Sequence, residues 1–293
     1  MRVGLVIYGS LDTVSGGYLY DRQLVNYLTR VGDTVEIISL PWRNYARHLT
    51  DNRSADLRRR LSDDYDVLLQ DELNHPSLAW ANCRLKQRAP LVSIVHHLRC
   101  SEARPRWQNA VYRAIERRYL LSVDGFVFNS RTTRSAVEDL AGAGRPGVVA
   151  YPGGDRLIGI SPSTSREHLG PEDMPLRLLY VGNLIPRKGL HVLLAALARL
   201  QGIGWRLTVV GRIADTAYAR RVRRQGARLG GGHVVWRGGV DDAALAGEMA
   251  AADVLVVPSS YEGFGIVYLE GMGFGLPAIG TTAGAAGEII TDG

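Results

Sequence analysis

Residues Tyr261–Gly280 read YEGFGIVYLEGMGFGLPAIG, directly after DVLVVPSS. The Val/Leu run before Pro258 has strand length, SSYEGFG has loop composition, and a helix is expected to start near Gly265. Strand, glycine loop and helix in that order make up the repeating unit of an open parallel sheet, which binds ligands beyond the carboxyl ends of its strands. Glycines let the backbone approach a ligand, and the first turn of the helix offers unpaired N–H groups. Glu262 then stands at the mouth of the loop. Glu270 lies five residues past Gly265, roughly 7–8 Å further along the helix axis at about 1.5 Å per residue. Two carboxylates so placed can hold separate parts of an elongated polyhydroxylated ligand; the plainer alternative is a loop glutamate and a salt-bridged helix glutamate.

The same strand–helix alternation extends along the chain. Strand-length apolar runs occur at VGLVIYG, TVEIISL, DVLLQ, LVSIV and GFVFN, and again at LRLLYVG, WRLTVVG, HVVWRG, DVLVVPS and LPAIG. Between them lie amphipathic segments such as GYLYDRQLVNYLTRVG, where Leu24, Tyr27, Leu28 and Val31 recur at helical spacing. Strands apolar on both faces and joined by helices imply parallel sheets covered on both sides. The Gly/Pro/Ser-rich stretch Tyr151–Pro175 separates the two series. The expected fold class is therefore α/β, with two doubly wound Rossmann-like domains facing across a cleft: residues 1–152, a linker at 153–175, and residues 176–293.

Composition narrows the class. The 293 residues are 46% hydrophobic and 22% charged, values of a globular chain. No apolar run reaches the roughly 18 residues that would span a bilayer. MRVGLVIYGS reads as a buried strand rather than a signal peptide, and two cysteines, Cys83 and Cys100, suit a reduced, cytoplasmic setting. The net charge of +6 is concentrated in residues 1–152, where 21 Lys+Arg face 16 Asp+Glu; residues 153–293 have 14 against 13. That excess fits a phosphorylated substrate or an anionic membrane surface. Few aromatics interleave with the cations, which argues against nucleic acid.

Other strand ends carry chemistry as well. In LLYVGNLIPRKGLHVLLAALARL, Arg187 and Lys188 precede a helix expected from about Gly189, an arrangement suited to a diphosphate. The chain has 33 arginines and only two lysines, Lys86 and Lys188, so a lysine kept here hints at a use for a compact point charge. A surface dipeptide is the competing explanation. Gly16 and Gly17, after the first strand, can form a phosphate-approach loop, although the dinucleotide fingerprint G-x-G-x-x-G is absent. His96 and His97 follow LVSIV; His96 is placed to bond a substrate hydroxyl, whereas His97 reads as structural. Adjacent histidines without a third ligand make a poor metal signature.

Taken in order, SGGYLYDRQL, VHH, VDGFVFNS, YPGGD, LLYVGNLIPRKGL, LTVVG, ADVLVVPSSYEGFGIVYLEGMGFGLPAI and GAAGEIITDG resemble the retaining nucleotide-sugar glycosyltransferases of family four, which have the GT-B fold. The likeness covers nearly the whole chain, and its most specific element is the E-x7-E pair Glu262 and Glu270. It implies that Glu262, Phe264 and Gly265 bind the donor sugar, Glu270 the ribose and Lys188 the diphosphate. It further implies that His96 contacts the donor sugar near the reacting carbon and that the Gly16–Gly17 loop closes on the phosphates. The expected reaction is metal-independent glycosyl transfer from a nucleoside diphosphate sugar to an acceptor, with no cofactor. A nucleotide-sugar epimerase or hydrolase, or a non-catalytic sugar-nucleotide binding module, would use the same architecture.

Two departures from the family pattern stand out. Asn183 occupies a position where many relatives have an arginine, so Arg187 is the candidate substitute. Similar proteins also continue past EIITDG, so the second domain is expected to be incomplete at its C-terminus. Finally, Arg99, Arg104, Arg106, Arg113, Arg117 and Arg118 cluster in one stretch. Arg106, Arg113 and Arg117 can share a helix face beside Trp107, Val111 and Ile115, suggesting peripheral contact with an anionic acceptor or membrane surface.

Overall fold

The computed structural model describes residues 1–85, 89–157, 159–160 and 175–291. Lys86 and most of the expected linker at 153–175 lie outside the described residues. The chain forms two compact units, Met1–Pro152 and Gly153–Gly293.

In the first unit β1 (Arg2–Tyr8), α1 (Gly16–Arg30), β2 (Thr34–Leu40), α2 (Tyr45–Asp51), α3 (Ala55–Leu61) and β3 (Val67–Asp71) are followed by α4 (His75–Leu78) and β4 (Leu91–Val95). Then come α5 (Arg106–Leu120), β5 (Gly125–Phe128), α6 (Arg131–Ala141) and β6 (Gly147–Val149). The strands form one parallel sheet in the order β2-β1-β3-β4-β5-β6. Alternate residues of β1 serve opposite faces, as strand geometry requires. Val3, Leu5 and Ile7 pack with Tyr18 and Ile94 on one side, while Val6 and Tyr8 join Ile38, Leu68 and Tyr119 on the other. Ser15 and Ser130 cap α1 and α6 through their side-chain oxygens.

Three sequence expectations change here. Leu24 and Leu28 pack inward from α1, but Tyr27 is rotated off that face and Val31 is the C-cap residue, so both are exposed. Ile115 is buried rather than part of an exposed face. Strand β6, not anticipated, is a three-residue edge strand whose alternation is too short to be read from sequence.

The second unit runs β7 (Leu176–Val181), α7 (Leu190–Leu197), β8 (Trp205–Val210), α8 (Thr216–Ala227) and β9 (Val234–Gly238), then α9 (Asp242–Ala251), β10 (Val254–Val256), α10 (Ile266–Gly273) and β11 (Ala278–Ile279). Its parallel sheet is ordered β11-β10-β7-β8-β9. One core cluster joins Leu179 and Tyr180 of β7, Leu190 and Leu194 of α7, Val209 of β8 and Tyr268 of α10. Strands are added to one side of β7 and then, from β10 onward, to the other, so the topology reverses between β7 and β10. In the first unit it reverses between β1 and β3. A crevice opens at such a reversal because the loops leave in opposite directions.

The β7 and β10 loops touch at Gly189. Its φ is 72°, and a Cβ there would stand 1.9 Å from the Pro258 carbonyl oxygen. Gly189→Ala should therefore destabilise the second unit by roughly 2–3 kcal/mol, combining left-handed strain with overpacking. Gly273→Ala, in α10 with nothing within 4 Å of the added methyl, should be close to neutral. Urea unfolding of both variants measures the difference; equal midpoints would show that the two loops separate without cost.

Candidate functional site

At the β7/β10 reversal the Lys188 ammonium lies 2.6 Å from Glu262 Oε1, which also accepts from Ser259 Oγ at 2.5 Å. Glu262 is buried, and burial pushes its carboxyl up, but Lys188, Arg187 and Ser259 outweigh that and hold it below its ordinary value. It is thus a fixed anion. Its backbone is clamped by the following segment: Ala285 N donates to Glu262 O at 2.8 Å, and Gly284, at φ 79°, leaves no room for a Cβ beside that oxygen. Arg187 reaches across the same gap, donating to the Tyr261 carbonyl at 2.6 Å with Glu262 Oε2 at 3.8 Å.

Helix termini divide sharply in this unit. Asp215 and Asp241 cap α8 and α9 with their carboxylates, whereas α7 and α10 follow left-handed glycines, Gly189 and Gly265, with no side-chain cap. The α7 start, expected as the anion site, is occupied: His191 N donates to the Tyr218 hydroxyl at 3.1 Å. The start of α10 is the open one. Tyr268 N turns back to Gly265 O at 2.9 Å, while the Ile266 and Val267 N–H groups have no acceptor among the described residues. Gly265 has φ 102°, and a Cβ there would strike the Tyr268 ring at 2.6 Å. Phe264, expected to offer backbone to a ligand, has its side chain buried.

Glu270, buried in α10, is held by an arginine that sequence reasoning missed. Arg156 Nε donates to Glu270 Oε1 at 2.8 Å, and Arg156 NH1 donates to Asp242 Oδ1 at 3.0 Å. Burial raises the Glu270 carboxyl and Arg156 opposes the rise. Gly154 packs against Leu269, where a Cβ would come within 2.6 Å, so the segment carrying Arg156 is pressed onto α10. A cavity of about 270 Å³ lies further along the sheet, lined by Leu184, Gly211, Arg212, Arg223, Trp236 and Gly239 among others.

The first unit has its own cluster. His96 Nε2 lies 3.1 Å from Asp21 Oδ1, and Asp21 is fully buried. Burial pushes the His96 ring down, but Asp21, together with Asp71 and Glu72, overcomes it and raises the ring to about 9. Burial and the Asp21 charge push the Asp71 carboxyl up to about 8. Burial thus works against charge on every member of the cluster, and the Asp21 contact is what favours the charged ring. Gly17 lies against the ring, where a Cβ would meet His96 Cδ2 at 3.0 Å, and Gly16 begins α1. His97 pairs with Glu102 at 3.0 Å, in keeping with a structural role.

Two groups of described residues bring three possible metal ligands together: Asp21, Asp71 and His96, and also Glu72, His75 and Glu116. In the second group the Glu116 oxygens already accept the Arg99 and Cys100 N–H groups at 2.5 and 3.0 Å. Glu116 is accordingly a strut for the turn between β4 and α5.

Two doubly wound parallel-sheet domains with these strand-end sites define the GT-B class. The family model "Glycosyltransferase Family 4" matches residues 15–156, and "Glycosyl transferases group 1" matches residues 163–293. The chain belongs to the family-four-like glycosyltransferases. It is 29% identical to the glycogen synthase of Mycobacterium tuberculosis over 75% of this chain and 52% of that protein, so it spans about half of that relative's length. It is 26% identical to the phosphatidyl-myo-inositol mannosyltransferase of Mycobacterium leprae, over 100% of this chain and 82% of that protein. Sucrose-phosphate synthase of Thermosynechococcus elongatus shares the fold with a TM-score of 0.76 and 21% identity, covering 97% of this chain and 82% of that one. Anabaena HepE, solved with UDP and glucose, aligns at 0.70 and 20% identity, covering 100% and 84%.

The Asp21–His96 contact has a pH signature. A ring raised from about 6.5 to about 9 stabilises the fold fully below about pH 6.5 and loses that contribution as pH rises through about 9. Asp21→Asn should lower the His96 titration, read from its ring proton by NMR. The stability gap to wild type should be widest in mild acid and close above about pH 9. An unmoved His96 titration would mean that Asp21 does not hold the proton.

Proposed function

We propose that this chain is a retaining, metal-independent glycosyltransferase that moves a glycosyl group from a nucleoside diphosphate sugar to an acceptor hydroxyl. The observation that carries the proposal is the Lys188–Glu262 pair beside the open start of α10, at the reversal between β7 and β10. A cation and backbone N–H groups suit a diphosphate, and a fixed carboxylate beside them suits sugar hydroxyls. Glu270 Oε2 then accepts from the ribose while Oε1 stays with Arg156. The cavity lined by Trp236 and Leu184 takes the base. The relatives' names and the HepE complex support a sugar donor of this class.

In the reaction the bond from the anomeric carbon to the diphosphate oxygen breaks, and the acceptor oxygen bonds to that carbon on the face the diphosphate leaves. The acceptor proton passes to a diphosphate oxygen. Lys188 and the α10 N–H groups stabilise the charge that develops there, the role a metal plays in other transferases. Glu262 is tied to Lys188 and Ser259, so it acts as a sugar-binding group rather than a nucleophile. On the first unit, His96 carries a charged hydrogen-bond donor.

A panel of nucleotide sugars incubated with the protein and cell extract tests this by acceptor-dependent release of nucleoside diphosphate, with the anomer of the product read by NMR. Donor consumption without acceptor would indicate an epimerase or hydrolase, and binding without turnover a binding module.

Three substitutions divide the site. Lys188→Ala should weaken free nucleoside diphosphate tenfold to hundredfold, the worth of a charge-assisted bond of about 1.5–3 kcal/mol. Glu262→Gln should leave that affinity unchanged or raise it, because a negative charge beside the anion is removed, while transfer falls. Glu270→Gln should weaken diphosphate and intact donor alike, since both carry the ribose. Calorimetric titration with turnover measures all three; equal losses for Glu262→Gln and Glu270→Gln would place both carboxylates on one partner.

A further inference from the structure

The arginines of α5 form a surface that donor binding does not use. The buried side of the helix is Tyr112, Ile115, Glu116, Tyr119 and Leu120. Flanking it, at about 100° per residue, Arg106, Arg113 and Arg117 fall in one row. Beside that row runs a second stripe of Trp107, Ala110, Val111, Ala114 and Leu121. Trp107 is 72% exposed, Val111 48% and Leu121 38%. Arg106, Arg113, Arg117 and Arg118 are all exposed.

The charge on this face is one-signed. The only acidic residue of α5, Glu116, is buried and bonded to the Arg99 and Cys100 backbone. Arg106, Arg113 and Arg117 form no ion pair among the described residues, and Arg118 lies over the Trp80 ring at 5.1 Å. A surface that leaves its arginines unpaired and also exposes a tryptophan calls for a partner both anionic and apolar. A nucleic-acid backbone supplies the first property only. The interface of an anionic bilayer supplies both, since the guanidinium groups meet lipid phosphates while the indole enters the headgroup boundary.

We propose that the exposed face of α5 docks this protein on an anionic lipid surface, with Trp107 as the inserted residue and Arg106, Arg113 and Arg117 as the phosphate contacts. No helix among the described residues is long and apolar enough to cross a membrane, so the contact is interfacial. Trp107 lies in the first turn of α5, which follows the His96–His97 end of β4, so docking brings the carboxyl edge of this sheet near the lipid. The proposal is independent of the transfer reaction and stands or falls separately from it.

The test is flotation of the full chain with vesicles of phosphatidylcholine and phosphatidylglycerol, and with phosphatidylcholine alone, at low and high salt. Flotation is expected only with phosphatidylglycerol and should fall with salt. Arg113→Gln and Arg117→Gln should each weaken it about fivefold. Trp107→Ala should weaken it without changing the salt dependence, and none of these exposed substitutions should alter circular dichroism. A blue-shifted emission on vesicle binding that disappears in Trp107→Phe would support insertion. Protein that stays unbound, or floats equally well as wild type and as the Trp107 and arginine variants, overturns the proposal. So does tighter binding to poly-uridylate than to vesicles with no loss in Trp107→Ala, which would assign the face to nucleic acid.

Discussion

The 2.6 Å contact between Lys188 and Glu262 ties together the loops that leave two adjacent parallel strands in opposite directions. Without it the buried carboxylate would be left with Ser259 and the more distant Arg187. A buried ion pair of this kind adds little net stability over an apolar pair, but removing one partner strands a charge and is costly. Its value is positional. Lys188 is fixed by Glu262, Glu262 by Ser259 and by the backbone of Ala285, and Arg187 by the Tyr261 carbonyl. These polar groups are therefore held in fixed orientations, which is the condition under which electrostatic stabilisation is effective.

The first unit solves a similar problem with a histidine. Placing Asp21 at zero exposure beside a buried ring would be unfavourable for either alone, and together they make an imidazolium that persists at neutral pH. Gly17 is the steric counterpart, since any side chain there would press on the ring that Asp21 orients. Nearby, the Glu116 carboxylate satisfies two backbone N–H groups at the turn into α5, and that frees the outer face of the helix from any acidic residue.

Much of this was legible in the sequence because strand ends are marked by residues with few alternatives. Strand-length apolar runs, most of them closing on Gly or Pro, gave ten of the strands, and Lys188, Glu262 and Glu270 stood out by type and position. What could not be read were pairings between distant residues. Arg156 sits in the Gly-rich segment after Pro152 and looks like any loop arginine until α10 packs against it. Asp21 and Asp71 have no local feature that separates them from surface aspartates. The Tyr218 hydroxyl that occupies the start of α7 comes from the next helix, 27 residues on from His191. Helical phase was similarly misread at Tyr27, which is exposed, and at Ile115, which is buried.

The helix starts of the second unit differ in how their N–H groups are satisfied. An aspartate cap satisfies N–H groups and also places a negative charge where an anion would otherwise settle, so Asp215 and Asp241 close α8 and α9 to phosphate. The Tyr218 hydroxyl closes α7 without adding charge, which keeps the potential near Lys188 positive. Both α7 and α10 begin with a glycine that can neither cap nor repel, but no tyrosine hydroxyl fills the start of α10. Gly265 is required there on two counts, its φ of 102° and the Tyr268 ring 2.6 Å from any Cβ, so the same constraint that shapes the turn leaves the Ile266 and Val267 N–H groups open. Capping chemistry and backbone strain thus select one helix start out of four, and it is the one that follows Glu262.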